Sequence, residues 1–575
     1  MQGTTFSVHD IPFSYRGSWL DISPVIAEKT YAEDLHLVSH QTGMHAVLRF
    51  LPLRAGGRAA TRVIATPSLL TWRHELDDTR RIEATYQDPA TIRVRGSGLG
   101  LRLGAAASTL TPFSGSYFYR DPVAGAPVLT SYETGRRYRI TVLTTAKPQT
   151  AGLEVLGAAD RHLTLPDDAP WELAIEEYAT ARTPLTGTPA FDDVAAAAAG
   201  KFTAFADAVA PWRDVTTPAA ELAAYVLWSA TVDPAGFLGR PAVLMSKHWM
   251  DKIWSWDHCF NALALAPAEP ALAWDQFQLP FDHQDAAGAL PDSITHPEVL
   301  YNFVKPPIHG WTLRRLREQL ALDRDQLTTA YHRLAAWTRF WLDHRRVPGH
   351  QLAHYQHGND SGWDNATTFD ADRVIETADL SAFLVLQLRE LAALATGLDR
   401  PDEARRWRQT ACTVRDALLG ELWQDDRFVA RSAATGQPHT SRSLLDLMPI
   451  VLGADLPADL SATLAARISG HLTAHGLATE PVDSADYAAD GYWRGPIWAP
   501  ATVLIEDGLR RAGHPELADT ISRRFRALCE KSGFAENFDA QTGAGLRDRA
   551  YTWTASGYLI LAGADQQRTR ATRPT

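Results

Sequence analysis

Cysteine is scarce in this sequence and supports neither a disulfide framework nor a zinc site. The three cysteines, Cys259, Cys412 and Cys529, are odd in number, widely spaced and embedded in apolar patterns typical of helices. Either kind of site would need paired or clustered cysteines. A reducing compartment fits this usage, and we expect the protein to be cytoplasmic.

Clustered basic residues are also missing, and the formal net charge is -11 at pH 7. Nucleic acids and anionic membranes both require clustered Lys and Arg, so we expect neither as a partner. The sequence has no uninterrupted run of about 18 apolar residues, and its N-terminus has no basic segment followed by an apolar one. It also lacks a glycine-rich phosphate loop and a clustered set of metal ligands, so we expect no cofactor and no metal.

Tryptophan, by contrast, is abundant, with 18 Trp against 5 Met. Aromatic faces suit sugar rings, although tryptophan also fills ordinary cores. The composition, 45% hydrophobic and 21% charged, is that of a soluble globular protein. A chain of 575 residues is long enough for two domains with a large buried core.

Apolar and polar residues alternate up to about residue 180. Ile92 and Val94 alternate with arginines, as do Tyr138 and Ile140. Such alternation places one face of a strand on a core and the other in water. We therefore expect an N-terminal antiparallel β-sandwich over residues 1–183, followed by a linker with one Ala-rich helix over 184–214.

From residue 215 to 575 the apolar period becomes 3.6, which indicates helices. The predicted segments lie near 218–232, 257–266, 268–283, 310–322, 326–344, 376–397, 401–422, 443–453, 459–474, 496–512, 515–531 and 551–564. Six helical hairpins closed on themselves would form a C-terminal (α/α)6 barrel, although periodicity alone does not distinguish a barrel from an open helical array. Long polar loops lie between alternate pairs, and a closed barrel would gather them at one end.

The stretch His357–Asp370, HGNDSGWDNATTFD, is too polar for a core and too aromatic for an idle linker. Loops held between rigid elements commonly carry catalytic and binding groups. We predict that Asp364 is one of two catalytic carboxylates and that Trp363 lowers the polarity around it.

Three further stretches carry candidate binding groups. In WSWD, Trp254, Trp256 and Asp257 would form an aromatic wall with a hydroxyl-binding carboxylate, unless Asp257 only caps a helix and the tryptophans are core. In the loop 284–311, Lys305 and His309 are polar groups that a loop broken by two prolines could aim at a ligand, although Lys305 could equally be solvated. In YWRGPIW, Trp493 and Arg494 are candidates for ligand contact or for structural support.

The second carboxylate is predicted in GFAENFDAQTGAG, where Glu536 lies between Phe534 and Phe538. Burial there would raise its pKa, whereas a solvated glutamate is the simpler alternative. Glycoside hydrolysis needs a protonated acid and a second carboxylate, about 6.5–9.5 Å away when that carboxylate activates water. Asp364 and Glu536, on loops far apart in sequence, would meet this need if the fold brings them together.

In motif order, WSWD, SGWDNA, YWRGPIW and FAENFDAQTG, followed by YTWTASGYLIL, resemble glycoside hydrolase family 63 and its bacterial relatives, the mannosylglycerate and glucosylglycerate hydrolases. A looser similarity through SGWD extends to trehalases. The resemblance covers about residues 215–565 and implies an (α/α)6 barrel, inversion at the anomeric carbon and an α-glycosidic substrate.

The resemblance also implies roles for individual residues. Asp364 matches the general acid and Glu536 the general base. Asp257 matches a residue that binds hydroxyls of the sugar in the −1 subsite. The residues that match the wall or brace of that subsite are Trp256, Trp363, Trp493 and Arg494. The chain departs from the family at KPP, where Lys305 replaces a glutamine of the glycerate-specific members.

We therefore expect an inverting, exo-acting α-glycosidase, foremost an α-glucosidase, with a small carbohydrate substrate. A mannosylglycerate or glucosylglycerate hydrolase is the alternative within the same family. A sugar isomerase or epimerase on the same barrel would rely instead on histidines such as His248, His258 and His309. A carbohydrate-binding protein without catalysis is a third class, which the presence of both carboxylates in their motifs disfavours.

Overall fold

The computed structural model describes residues 4–107 and 114–572. Packing divides the chain into two compact units. The first comprises Met1–Asp207, Ala224–Lys252 and Thr295–Pro297, and the second comprises Ala208–Ala223, Ile253–Ile294 and Glu298–Thr575. This division interleaves along the chain, whereas the division predicted from the sequence is continuous.

The first unit is built on two antiparallel sheets of eight strands each in the described residues. Its strands are β1 Phe13–Ser14, β2 Leu20–Ala27, β3 Thr30–Ser39, β4 His45–Arg54, β5 Gly57–Arg58, β6 Thr61–Ala65, β7 Leu70–His74, β8 Asp77–Asp88, β9 Thr91–Ser97, β10 Gly100–Ala105, β11 Ser116–Arg120, β12 Pro127–Ser131, β13 Arg136–Val142, β14 Gln149–Ala151, β15 His162–Leu165 and β16 Trp171–Tyr178. One sheet has the order β1-β2-β3-β4-β10-β15-β14 with β5 beside β4, and the other β11-β12-β13-β16-β9-β8-β7-β6. Phe50 of the first sheet stacks on Trp72 of the second at 5.7 Å, as in a sandwich.

The alternation that predicted these strands is confirmed on the apolar side, where Ile92, Val94 and Ile140 are fully buried. The prediction that the intervening arginines face water is wrong at Arg93 and Arg139, which are also buried. Arg139 forms an ion pair with Glu176 at 2.8 Å and donates to the carbonyls of residues 182 and 183, and Arg93 pairs with Glu172. The segment after β16 folds back over this face of the sheet and covers it.

The rest of the chain is mainly helical. Its helices are α1 Phe191–Val209, α2 Ala220–Ala230, α3 Asp257–Leu265, α4 Pro270–Gln278, α5 His309–Arg317, α6 Arg324–His344, α7 Gly358–Ser361, α8 Ala378–Gly397, α9 Pro401–Ala417, α10 Ala458–Ser469, α11 Ala499–Arg511, α12 Pro515–Ser532 and α13 Thr552–Thr572. The 3-10 segments are Pro280–His283, Thr367–Phe369 and Leu444–Asp455, and Leu418–Leu422 is a π turn. Each of the twelve predicted segments overlaps one of these helices. The segment at 444–455 is 3-10 rather than α, since Pro449 lies inside it and Gly453 leaves helical geometry.

Short antiparallel strands lie in the connections between helices. They are Thr231–Val232, Ala242–Val243, Ile253–Trp254, Ser293–Ile294, Val299–Leu300, His354–Tyr355, Ile375–Glu376, Trp423–Gln424, Arg427–Phe428, Ala430–Ser432, Pro438–His439, Asn537–Phe538 and Gly545–Leu546.

The helices of the second unit close into a barrel rather than an open array. The inner ring runs α3, α5, α8, Leu444–Asp455, α11 and α13, and α13 packs back on α3. Outer helices α4, α9, α10 and α12 pack against the inner helices that precede them in sequence. Inner and outer helices alternate, so the inner helices run in the same direction and the segments that precede them lie at one end of the barrel. Every predicted site residue lies in such a segment or in the first turn of the helix that follows it.

Helix α8 is, among the described helices, the one that is long and apolar enough by composition to cross a membrane. About 72% of its apolar window is buried inside the structure, where α8 packs against α5, α9 and Leu444–Asp455. This burial is typical of a core helix of a soluble protein, and the helix contains Gln387, Arg389 and Glu390, so its apolar run is interrupted.

The crossing of α5 and α8 gives a test of the ring. A Cβ atom on Gly310 would lie 2.3 Å from the Cα atom of Gln387, so Gly310→Ala is expected to lower the free energy of unfolding by about 1–3 kcal/mol. Gly397→Ala, where a Cβ would meet no atom within 4 Å, is the matched control and should be neutral or stabilising. Equal urea unfolding midpoints for the two variants would contradict this close approach of α5 and α8.

Candidate active site

In the loop that carries Asp364, the other two aspartates form hydrogen bonds or ion pairs within the protein. Asp360 is buried and accepts hydrogen bonds from the backbone of Val304 at 3.1 Å and of Gln356 at 2.8 Å, and it pairs with Arg345 at 2.7 Å. Asp370 pairs with Arg494. The side chain of Asp364 makes no such pair with any described residue, which leaves it available to a ligand.

A left-handed turn at Gly362 places Asp364 beside the aromatic residues of the site. Gly362 has φ +73°, and a Cβ atom there would lie 2.6 Å from the ring of Trp256. A side chain at this position would therefore be strained and would also displace the tryptophan. The one-turn helix α7 ends at this glycine, and Trp363 and Asp364 follow it.

Asn365 joins the Asp364 loop to the segment before α11. Its side-chain amide donates to the carbonyl of Gly491 at 3.0 Å, and its side-chain oxygen accepts from the backbone of Trp493 at 2.9 Å. Arg494 donates to the carbonyl of Asn365 at 2.8 Å and also reaches Asp370. Arg494 therefore braces the Asp364 loop.

Five tryptophans form one cluster under these loops, and we call it the tryptophan cluster: Trp256, Trp363, Trp493, Trp498 and Trp553. Trp493 stacks on Trp498 with ring centroids 3.9 Å apart and lies 4.5 Å from Trp363. Trp256 contacts Trp553 at 5.9 Å and Trp493 at 6.4 Å. All five side chains are buried, so the cluster mainly supplies low polarity to the carboxylates beside it.

Asp257 begins α3 but does not cap it. The position before the helix is Trp256, and no side chain caps it. Asp257 is 3% exposed, and its Oδ2 atom has no hydrogen-bond partner among the described residues. Burial, opposed mainly by Lys305, raises the pKa of Asp257 to about 8. A buried acceptor without a partner is the kind of group that a ligand hydroxyl satisfies.

Glu536 is held by the short hairpin of Asn537–Phe538 and Gly545–Leu546 that precedes α13. Its backbone N–H donates to the carbonyl of Asp548 at 2.7 Å, and Trp553 donates to its carbonyl at 3.2 Å. The side chain is 2% exposed, with Oε2 unpartnered within the described chain. Burial and the nearby Asp548 raise the pKa of Glu536 to about 8, whereas Arg547 and hydrogen bonding from Tyr492 favour its ionised form.

The three carboxyl groups converge on one phenol. Burial raises the pKa of Tyr492 well above its ordinary value, and the charges of Glu536, Asp364 and Asp257 raise it further. Tyr492 has φ +63°, a strained backbone conformation for a non-glycine residue, and its ring lies under the guanidinium of Arg547 at 4.8 Å. Asp257, Asp364 and Glu536 therefore all lie within electrostatic reach of Tyr492 at one end of the barrel.

Lys305 lies among these carboxylates. Its ammonium group is 3.0 Å from Oδ1 of Asp292 and donates to the carbonyl of Asn359 at 2.9 Å. Burial raises the pKa of Asp364 above its ordinary range, Lys305 opposes this rise, and Asp292 adds to it. The alternative that Lys305 is solvated does not hold, since the residue is 6% exposed.

The structure does not support His309 as a ligand contact. The ring is fully buried against Phe281 and Trp337, its Nε2 atom bonds to the carbonyl of Ser255 at 2.9 Å, and its Nδ1 atom, without a hydrogen-bond partner in the described chain, lies in this apolar surrounding. Burial lowers the pKa of His309 to about 4, so it is a neutral core residue. Trp254, in contrast, is half-buried in the strand Ile253–Trp254, which pairs with Ser293–Ile294 at the start of α3.

The other two histidines considered for proton transfer at carbon also have structural bonds. His258 is fully buried and bonds to the carbonyl of Trp254 at 3.2 Å. His248 belongs to the first unit, where it bonds to Tyr31 at 3.1 Å and to the carbonyl of His9 at 3.0 Å. The described residues contain no group of three or more His, Cys, Asp or Glu that could hold a metal ion.

Sequence reasoning missed four residues that shape this site: Asp292, Asn365, Tyr492 and Arg547. Asn365 and Tyr492 lie inside the quoted motifs, each directly beside a predicted residue, so the motifs themselves could have identified both as site residues. Asp292 acts through Lys305 in the same long loop and Arg547 acts across a hairpin, and no local pattern marks either residue.

Comparison with known proteins places this site in a wider group. The family model described as "Mannosylglycerate hydrolase MGH1-like glycoside hydrolase domain" matches residues 250–554. The chain is similar to a mannosylglycerate hydrolase of Rubrobacter radiotolerans, with 24% identity over 406 residues that cover 54% of this chain and 91% of the relative. It is also similar to a glucosylglycerate hydrolase of Mycolicibacterium hassiacum, with 24% identity over 456 residues, 60% of this chain and 98% of the relative.

Two solved structures share the fold. A family 63 mannosylglycerate hydrolase from Thermus thermophilus, in complex with glucose, covers 59% of this chain and 98% of its own with a TM-score of 0.52 and 20% identity. A bacterial glucoamylase complexed with acarbose covers 99% of this chain and 95% of its own with a TM-score of 0.61 and 10% identity. The predicted fold class, an antiparallel β-sandwich followed by an (α/α)6 barrel, is confirmed.

Asn365 gives a test of the loop arrangement that does not depend on activity. Asn365→Ala removes both side-chain hydrogen bonds to the segment before α11, so amide hydrogen exchange in residues 486–494 should become faster. Asn359→Ala is the matched control, because in the described chain the Asn359 side chain has no hydrogen-bond partner. Equal protection of this segment in both variants would contradict the role of Asn365 as a clamp.

Proposed function

Because the chain belongs to the family of mannosylglycerate hydrolase MGH1-like glycoside hydrolase domains, and is a glycoside hydrolase, we propose that it hydrolyses a small α-glycoside with inversion. Asp364 is the general acid and Glu536 the general base. The observation that carries this proposal is that Asp257, Asp364 and Glu536, which come from three separate segments at one end of the barrel, all act electrostatically on Tyr492. An inverting mechanism requires a protonated acid on one side of the glycosidic bond and a carboxylate that activates water on the other.

Asp364 suits the role of acid because it is withdrawn from water and has no pair of its own. Its raised pKa keeps the carboxyl group protonated at pH values where an ordinary aspartate has lost its proton. It can then donate this proton to the glycosidic oxygen as the bond breaks, and the resulting carboxylate is stabilised by the nearby Lys305.

Glu536 can act as the base in its ionised form, which is the main form above its raised pKa of about 8 and which a cation and a phenol stabilise. Arg547 and Tyr492 both oppose the effects of burial and of Asp548. The ionised carboxylate takes a proton from a water molecule, which attacks the anomeric carbon from the face opposite the leaving oxygen. Asp257 holds hydroxyl groups of the sugar, and Trp256, Trp363 and Trp493 exclude bulk water.

For the leaving group, the named relatives favour glycerate over a second sugar. Mannosylglycerate and glucosylglycerate hydrolases are the relatives to which the barrel is similar, so we propose a glycosylglycerate as substrate in place of the general α-glucosidase expected from the sequence. A sugar isomerase or epimerase is not favoured, since His258 and His309 are fully buried and each bonds through one ring nitrogen to a backbone carbonyl.

The substrate proposal predicts a preference within a defined panel. With α-glucosylglycerate, α-mannosylglycerate, maltose and trehalose, kcat/KM for one glycerate conjugate should exceed that for both disaccharides by at least about tenfold, a difference of 1.4 kcal/mol. Faster hydrolysis of a disaccharide would favour an α-glucosidase. Solvent deuterium entering a free sugar, without hydrolysis of any glycoside, would overturn the proposed reaction.

The mechanism predicts the effect of two isosteric substitutions. Asp364→Asn and Glu536→Gln should each lower kcat on the order of 10²–10⁴-fold, because proton transfer is lost while shape is kept. Asp539→Asn is the matched control in the Glu536 hairpin, since the Asp539 side chain accepts bonds from the backbone of residues 541 and 542 there. Near-normal turnover in either active-site variant would remove that residue from the mechanism.

In proton NMR of the reaction, the first product should be the β-anomer, and an α-anomer would contradict inversion.

A further inference from the structure

We propose that the buried pair of Lys305 and Asp292 is a positioning device for the general acid, which ties the Asp364 loop to its neighbours and sets the charge that Asp364 faces, instead of contacting the substrate. This inference rests on the proposed function for the role of Asp364 as acid. It replaces the expectation that Lys305 binds a ligand directly.

The first support is the set of bonds made by Lys305 and the residue before it. Lys305 donates to the carbonyl of Asn359, and the backbone of Val304 donates to the side chain of Asp360. Two successive residues before α5 are thus attached to two successive residues of α7. Helix α7 leads through Gly362 directly to Asp364, so a shift at Lys305 would move the acid.

The second support is the anchoring of Asp292. Its backbone N–H donates to the carbonyl of Leu300 at 2.8 Å, and its carbonyl accepts from Ser255 at 3.4 Å. Ser255 lies two residues before Asp257. The ion pair therefore joins the segments that carry Asp257, Lys305 and Asp364, which are distant in sequence.

The third support is burial. Lys305 is 6% and Asp292 is 7% exposed, and the ammonium donates to the carbonyl of Asn359 and lies 3.0 Å from Oδ1 of Asp292. Burying an ion pair costs desolvation that its attraction often fails to recover, so such a pair is weak as a source of stability. A lysine bound in this way has little left to offer a substrate, whereas its charge still acts on the neighbouring carboxyl groups.

The two partners act on the acid in opposite directions. The titratable groups that face Asp364 are Lys305 and Asp292 from the segment before α5, His357 from its own loop, Asp257 from α3 and Tyr492 from the segment before α11. Lys305 lowers the pKa of Asp364 and Asp292 raises it. The same two residues act with the same signs on Asp257. Removing the charge of Lys305 should therefore raise the pKa of Asp364. Removing the charge of Asp292 should lower it.

The test uses Lys305→Met, Asp292→Asn and the double variant. The pKa of Asp364 is measured in the unliganded protein by isotope-edited NMR of aspartate carboxyl groups, with Asp364→Asn to identify the signal. Lys305→Met should raise this pKa and Asp292→Asn should lower it, each by about one unit or more, and the double variant should return towards wild type. The alkaline limb of kcat/KM against pH, which reports loss of the acid's proton, should move in the same directions.

Other outcomes would overturn the proposal. Shifts of the same sign in both variants, or no shift in either, would remove the electrostatic role. An increase in KM for Lys305→Met with an unchanged pH profile would assign Lys305 to the substrate. If Lys305→Met does not fold, the nearly isosteric Asp292→Asn still has to lower the pKa of Asp364. The NMR titration needs no turnover, so failure of the proposed hydrolysis is seen separately, as absence of product from every glycoside with the opposite shifts intact.

Discussion

Desolvation of acidic side chains is the constraint on which the candidate site depends. Asp257, Asp364 and Glu536 are withdrawn from water, and their pKa values rise because a carboxylate loses hydration that buried tryptophans do not replace. Burying carboxyl groups on a loop costs free energy, so the loop must be held in place by a rigid part of the structure. The closed inner ring gives that support, since it brings the segments before α3, α8 and α13 to one end of the barrel.

The loops use one residue type in two ways. Asp360 accepts from backbone amides and Arg345, Asp370 pairs with Arg494, and these bonds hold the loop in place. Asp257 and Glu536 each keep an oxygen without a partner in the described chain, which is unfavourable in the absence of a ligand. The bonds of Asp360 and Asp370 therefore stabilise loops in which Asp257 and Glu536 each keep one oxygen without a hydrogen bond in the described chain. Arg494 belongs to the braces through its bonds to Asn365 and Asp370.

Periodicity predicted the helices of the barrel and the strands of the sandwich because each buries one face on a core, and the resemblance to family 63 and its relatives is confirmed. The same reasoning failed where a second surface covers an element. Arg93 and Arg139 alternate with apolar residues and are nevertheless buried, since the chain folds back over them. Helix α7 was missed because one glycine and three polar residues carry no apolar period. His309 is a core residue in a polar motif, and only its neighbours reveal this.

By itself, the sequence determined the elements, the order of the motifs and the class of enzyme, because these depend on local patterns of burial and on short runs of residues. Only the tertiary structure shows which aspartates form structural bonds. It also shows that Lys305 pairs with Asp292 and that three carboxyl groups act on Tyr492. These are relations between segments far apart in the chain, and the pKa of a buried carboxyl group depends on charges and desolvation that only the folded barrel brings together.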